Sequence, residues 1–332
     1  MKHFTRIADL GVDGVAEVLQ QALAWKTCAP GAQLAGKLLG MVFFNPSLRT
    51  RASFEAAMLR GGGNAIVLDV GGGVWKLEDR SGAVMDGDRP EHIREAIPVL
   101  GRYVDALAVR TFGALQNDDA DAADPVMNAF RELAGVPVIS MESAREHPCQ
   151  GLADLLTVRE LLGDTRKMPV TLTWAPHIKA LPKAVPHSFL LTAAAAGCEV
   201  RIAHPPDFEL HPAVLAEARG YAANSGGSVT VTSDQQAALK DSRVVYAKAW
   251  GPATRSVAVE QAAARIASHK DWLIGNQTMA GASHDALFLH CLPVRRNVEV
   301  ADEVLDGGRS RVIDEAENRF HVQRVLLHRL LN

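Results

Sequence analysis

Phe43-Phe44-Asn45-Pro46-Ser47-Leu48-Arg49-Thr50-Arg51 is the stretch where an apolar run, residues 38–44, ends in a polar turn and a helical pattern begins. A strand that stops at such a turn leaves its polar residues at the sheet's carboxyl end. Ser47 and Thr50 offer hydroxyls and backbone N–H groups at the start of a helix, where the dipole is positive, and Arg49 and Arg51 add fixed charge and forked donors. A phosphate suits that set. The plainer alternative is a helix capped by Ser47 with two solvated arginines, because Ser-x-x-Thr at a helix start is common.

Around this stretch, strands alternate with helical patterns. Apolar residues at helical spacing over 12–27 precede the strand at 38–44, which is nearly continuous in apolar residues, as expected when both faces are covered. Helix 52–60, strand 65–69, helix 91–103, strand 106–110, helix 120–133 and strand 136–140 follow. A helix at 149–162 and a polar break, Gly163-Asp164-Thr165-Arg166-Lys167, come next. The rhythm then restarts with strand 170–174, helix 183–196, strand 199–204, helix 213–223 and strands 228–232 and 244–247. A last strand at 286–292 leads to an amphipathic helix at 315–331. Strands joined by helices imply right-handed crossovers and parallel sheets. The expected architecture is therefore α/β, two doubly wound parallel-sheet domains facing across a cleft, with the boundary within or just after helix 149–162. Ligands of such sheets bind beyond the carboxyl ends of the strands.

The composition narrows the function. With 332 residues, 48% hydrophobic and 22% charged, the chain is long enough for two cores. The balance of 35 basic against 38 acidic residues, without a basic stripe, argues against nucleic acid as a partner. Cys28, Cys149, Cys198 and Cys291 are far apart, which argues against a zinc knuckle or a disulfide scaffold and fits a reducing compartment. No run reaches the roughly 18 apolar residues of a membrane span, and the first residues lack a signal-peptide core. The expectation is a cytoplasmic protein with no membrane partner. The glycine triplets Gly61-Gly62-Gly63 and Gly71-Gly72-Gly73 lack the dinucleotide fingerprint, and no P-loop or metal-ligand motif is present, so neither a cofactor nor a metal is expected.

Three further strand ends carry chemistry. Arg110 closes the apolar run Ala106-Leu107-Ala108-Val109, facing the cleft or paired with an acid. His147-Pro148-Cys149-Gln150 puts an imidazole and an amide at a rigid turn before a helix, a donor set able to polarise a carbonyl. His290-Cys291-Leu292-Pro293 ends the last strand, where backbone carbonyls can hold an amine. A nucleophilic Cys291 is the sharper alternative, but no Cys–His pairing is visible.

In this order, Ser47-Leu48-Arg49-Thr50-Arg51, Arg110, His147-Pro148-Cys149-Gln150 and His290-Cys291-Leu292-Pro293 resemble the aspartate/ornithine carbamoyltransferase family over essentially the whole chain. The resemblance implies a carbamoyl phosphate domain, residues 1–150 joined by the terminal helix 315–331, and an amino-acid domain, residues 151–314. It implies that Ser47, Leu48, Arg49, Thr50, Arg110 and Arg319 hold the phosphate. His147 and Gln150, with Pro148 and Cys149 of the same turn, hold the carbamoyl group, and Cys291 and Leu292 offer carbonyls. The implied catalytic set is His147, Gln150, Arg110 and Cys291. Trimers with sites between subunits are implied as well, and no cofactor.

Departures from the ornithine-using pattern narrow the acceptor. The aspartate and the Ser-Met-Gly loop that bind a free α-amine are missing, and Lys248, in Tyr246-Ala247-Lys248-Ala249-Trp250-Gly251, offers a cation to an α-carboxylate instead. This resembles the N-acylornithine branch, which acts in arginine biosynthesis. There, Trp75 belongs to a loop that enters a neighbouring subunit's site, joining the carbamoyl phosphate set. Pro90 stands where acetyl-using relatives carry a glutamate, and its lack of charge favours the free carboxylate of a succinyl group, which makes the succinyl-using type the expectation and the acetyl-using type the rival. Pro90 also suits the first turn of a helix. The same resemblance places Glu142, His177, Leu292 and Arg295 around the acylornithine, and Glu299 where acetyl-type relatives have a lysine. A non-catalytic anion-binding relative of the same fold is the rival of a different class.

Overall fold

The computed structural model describes residues 1–70, 75–80 and 82–332. The run Gly71-Gly72-Gly73 lies outside the described residues. In the first half, α1 (Gly11–Thr27) precedes β1 (Leu38–Phe43), α2 (Leu48–Arg60), β2 (Asn64–Asp69), a short pair β3 (Leu77–Glu78) and β4 (Glu91–His92), α3 (Ile93–Gly101), β5 (Ala106–Arg110), α4 (Asp118–Ala123), α5 (Pro125–Leu133) and β6 (Val138–Glu142). The second half runs α6 (Pro148–Leu162), β7 (Pro169–Trp174), α7 (Ala184–Ala195), β8 (Glu199–Ala203), α8 (Pro212–Ser225), β9 (Ser228–Thr232), α9 (Gln235–Leu239), β10 (Val244–Lys248), α10 (Ala262–Ala267), α11 (Asn276–Ala280), β11 (Leu287–Leu289), α12 (Asp302–Leu305) and α13 (Val312–Leu331).

The strands form two parallel sheets, ordered β2-β1-β5-β6 and β11-β10-β7-β8-β9. In each, the order reverses once near the middle: between β1 and β5 in the first, and between β7 and β10 in the second. Connections on the two sides of such a point leave in opposite directions, so a crevice opens at the carboxyl ends of the flanking strands. Phe43 and Arg110 are paired at one crevice, and Trp174 and Lys248 at the other. The quoted stretch that follows β1 lies at the first.

Helix α6 is the hub. Residues Pro148 to Val158 are all buried, since α13 packs on one side and α7 on the other. Helix α13 also packs on α1 and α2, so the end of the chain returns to the first sheet. One continuous apolar core runs from Phe4 and Leu19 through Leu155 and Leu156 to Phe189 and Leu326.

Several boundaries differ from those expected. Helix α2 starts at Leu48, not 52, because Ser47 caps it with its hydroxyl accepting from Thr50 N–H at 3.3 Å. The helix expected at 91–103 begins two residues later, since Glu91–His92 pair with Leu77–Glu78 as strand. The one expected at 120–133 is two helices, broken where Asp124 takes a left-handed φ of 53° before Pro125, which cannot continue the preceding helix. Strand β6 is shifted two residues toward Glu142, and β11 stops at Leu289, before the left-handed Leu292 (φ 53°).

Candidate active site

A cavity of about 540 Å³ opens where the two crevices face each other. The first wall is the start of α2. Leu48 is largely exposed, and Thr50 is buried with its hydroxyl accepting from Arg319 Nη2 at 2.6 Å. Arg319 itself projects from α13, so the terminal helix supplies a buried guanidinium to the helix that starts the chain's anion site. Arg49 and Arg110 also line the cavity. Arg110 donates to Glu142 across the β5–β6 pair, and its guanidinium lies 4.7 Å from the centre of the Phe112 ring. Both alternatives weighed for Arg110 therefore hold: it faces the cavity and it is paired.

The second wall is the α6 turn. The His147 backbone N–H donates to Ser188 Oγ at 2.6 Å, fixing the turn to α7. Burial, with the charges of Arg319, Arg110 and Arg49, holds the His147 imidazole well below its usual 6.5, so it is neutral. It retains one N–H donor, and among the described residues its Nδ1 has no partner. Gln150 Nε2 donates to Asp154 Oδ1 at 2.8 Å and to Glu315 Oε1 at 3.0 Å, while among the described residues its Oε1 has no partner.

The third wall belongs to the second sheet. His290 Nδ1 accepts from Leu292 N–H at 3.0 Å, so Nε2 carries the proton and donates to Glu299 Oε2 at 2.9 Å. Burial works against ionising Glu299, but the hydrogen bond from His290 and the nearby charge of Lys248 outweigh it, holding the carboxyl below its usual range. Arg295 Nε donates to His177 Nε2 at 3.1 Å. Lys248 is buried, and among the described residues no carboxylate oxygen lies within ion-pair distance of its ammonium. An ammonium so placed is costly unless an anion joins it. Burial pushes the Cys291 thiol up to about 12, which leaves no thiolate for a nucleophilic role.

Of the residues singled out in the sequence, Ser47, Leu48, Arg49, Thr50, Arg110, Glu142, His147, Gln150, His177, Lys248, Cys291, Leu292, Arg295, Glu299 and Arg319 all line this one cavity. Four do not. Pro148 and Cys149 are turned into the core as the first residues of α6, and Cys149 Sγ contacts Ser140 O at 3.5 Å, so their side chains serve the helix and not the cavity. Trp75 and Pro90 are exposed and lie outside it; the Trp75 indole N–H donates to Glu91 at 2.8 Å, next to Pro90. Lys179, Leu181 and Pro182, in the loop after β7, and Val185, in the first turn of α7, line the cavity without having been signalled, since no recognisable motif marks them. No group of three His, Cys, Asp or Glu among the described residues is placed to hold a metal, and no helix is long and apolar enough to cross a membrane.

Residues 2–160 match the carbamoyl-P binding domain of aspartate/ornithine carbamoyltransferase, and residues 182–330 match its Asp/Orn binding domain. The chain belongs to this family. As a carbamoyltransferase it is similar at 40% identity to N-succinylornithine carbamoyltransferase of Bacteroides fragilis, covering 100% of this chain and 99% of that one. It is equally similar, at 40%, to N-acetylornithine carbamoyltransferase of Xanthomonas campestris, covering 100% and 98%. Among solved structures, an acetylornithine transcarbamylase complexed with acetylcitrulline superposes with a TM-score of 0.93 at 38% identity over the full length of both chains.

Proposed function

We propose that this carbamoyltransferase transfers the carbamoyl group of carbamoyl phosphate to the δ-amine of N-succinyl-L-ornithine, giving N-succinyl-L-citrulline and phosphate in arginine biosynthesis. The observation that carries the acylornithine reading is Lys248, a buried cation with no carboxylate oxygen within ion-pair distance among the described residues, at the acceptor end of a cavity whose donor end is built for phosphate. An α-carboxylate completes it.

In this reading the phosphate sits at the start of α2, held by backbone N–H groups and by Arg49, Arg110 and Arg319. Phosphate binding belongs to residues 1–150 with the terminal helix, and acceptor binding to residues 151–314. The neutral His147 donates to the carbamoyl oxygen. Gln150 Oε1 and the Leu292 carbonyl accept from the carbamoyl N–H groups, and the Cys291 carbonyl orients the incoming amine. The deprotonated δ-amine attacks the carbamoyl carbon, the C–N bond forms, the bond from that carbon to the bridging oxygen breaks, and the proton shed by the amine leaves with the phosphate. Charge develops first on the carbamoyl oxygen and then on the leaving phosphate, both facing cations and N–H donors. His177 and Arg295 lie beside Lys248 and complete the carboxylate-binding end.

The succinyl preference rests on Pro90. Its exposure fits a segment, with Trp75, that reaches the cavity of a neighbouring copy in a trimer. An N-acetyl-L-ornithine transcarbamylase in which a glutamate is replaced by proline, complexed with carbamyl phosphate and N-succinyl-L-norvaline, superposes on this chain with a TM-score of 0.93. That supports the argument that a proline there admits the extra carboxylate. The acetyl-using alternative is favoured by equal identity to such an enzyme.

Phosphate release with carbamoyl phosphate and N-succinyl-L-ornithine tests the assignment, and steady turnover is expected. Calorimetric binding of carbamoyl phosphate without release on either acylornithine would instead show an anion-binding relative.

A further inference from the structure

We propose that Asp154 and Glu315 form a brace that acts through Gln150, locking its amide so that Oε1 faces the carbamoyl group. The argument is one of donors. A side-chain amide can sit in its site two ways round, and only one presents an acceptor to a carbamoyl N–H. Here both N–H groups of Gln150 are consumed from behind, one by Asp154 Oδ1 at 2.8 Å and one by Glu315 Oε1 at 3.0 Å. A flipped amide would set its oxygen against two acids and lose both bonds.

The brace joins three elements. Asp154 lies one turn beyond Gln150 on α6, and Glu315 comes from α13. Glu315 Oε2 accepts from the His290 backbone N–H at 2.8 Å, so the same carboxyl also fixes the end of β11 that carries Cys291 and Leu292. Four residues further along α13, Arg319 holds Thr50. One helix thus sets the spacing between the phosphate wall, the carbamoyl wall and the amine wall. Both acids are fully buried and in hydrogen-bond contact with each other, and burial raises both, which favours a proton shared within the pair over two charges.

The inference rests on the carbamoyl phosphate reading of the cavity and is independent of which acyl group the acceptor carries. Wild-type turnover tests that reading by itself; the variant ratios below address only the brace. Asp154→Ala is compared with Asp154→Asn, and each is measured for turnover and for inhibition by acetyl phosphate, which shares the phosphate and carbonyl but has no N–H for Gln150 to accept. The brace predicts that Asp154→Ala lowers kcat/KM for carbamoyl phosphate about 10- to 100-fold while the Ki of acetyl phosphate stays within about twofold. Asp154→Asn, whose oxygen still accepts from Gln150 and whose N–H replaces the shared proton, recovers at least tenfold of any hundredfold loss. If Asp154→Ala does not fold, Glu315→Asp, which draws the carboxyl back by one methylene, carries the same expectation. Equal weakening of both phosphates, or no loss on carbamoyl phosphate, would overturn the brace.

Discussion

In the proposed reading, Pro90 and Lys248 divide the specificity between them, one by lacking a charge and the other by offering one. If the segment at Pro90 faces a bound acyl group, a carboxylate there repels the free carboxylate of succinate and leaves acetyl untouched. Pro90→Glu is therefore expected to lower kcat/KM for N-succinyl-L-ornithine at least tenfold more than for N-acetyl-L-ornithine, measured side by side; equal loss would refute the charge argument. Lys248→Met keeps the length and removes the ammonium. It is expected to raise KM for the acylornithine about 10- to 100-fold, the worth of one charge-assisted hydrogen bond, and to leave KM for carbamoyl phosphate within about threefold. Arg49, Thr50, His147 and Gln150 were legible in the sequence because strand-to-turn-to-helix patterning marks where polar side chains meet a cleft. Glu142 and Arg319 rested on the family resemblance alone. Asp154 and Glu315 were not legible: a buried acid on a helix carries no local signal, and its meaning comes from a partner 161 positions away in the chain.

The helices do more than connect strands. Gly151, on the buried face of α6, has no room for a side chain; a Cβ there would lie 2.5 Å from Thr192 Oγ1 and 2.6 Å from the Ser188 carbonyl of α7. The glycine lets α6 approach closely enough for the His147 N–H to reach Ser188. Gly151→Ala is expected to destabilise the fold by about 1–3 kcal/mol, read as a lowered urea midpoint, and to cut kcat more than KM because the His147 turn is displaced. An unchanged midpoint would show that the α6–α7 contact yields without strain. The alternation of strands and helices was readable from apolar runs and turn residues. Less so were the breaks that depend on single backbone conformations: Asp124 divides α4 from α5, and Leu292 follows a strand that had already stopped. Both take left-handed φ values that composition does not announce.

At the level of the molecule, buried ionisable groups set the response to acid. His147, His187 and His290 are buried with lowered pKa values, His187 down to about 3 through desolvation. Between that value and 6.5 the unfolded chain binds more protons, so their stability is present above pH 6.5 and is lost as pH falls. Glu146 and Asp154 move oppositely: burial raises each to about 7, so the folded chain binds more protons and gains stability as pH falls from 7 toward the ordinary carboxylate range. The trends oppose each other down to about pH 4.5. Below it only the loss remains, and Tm is expected to stay nearly flat from pH 7 to about 4.5 and then drop steeply. A steady decline beginning at pH 6.5 would show that the buried acids contribute nothing. The two-sheet plan was legible as a whole, because each half repeats the same strand-helix rhythm; that the last amphipathic helix returns to the first sheet rested on the family resemblance. Trp75 and Pro90 were legible as unusual residues, whereas their exposure outside this chain's cavity came only from the fold. If they complete a neighbour's site, the particle sediments at three times the 35.6 kDa chain.

The acceptor's acyl group is the centre of the account, and steady-state kinetics with saturating carbamoyl phosphate addresses it most directly. The expected result is a kcat/KM for N-succinyl-L-ornithine at least tenfold above that for N-acetyl-L-ornithine, with ornithine itself below both. A preference for N-acetyl-L-ornithine would contradict it.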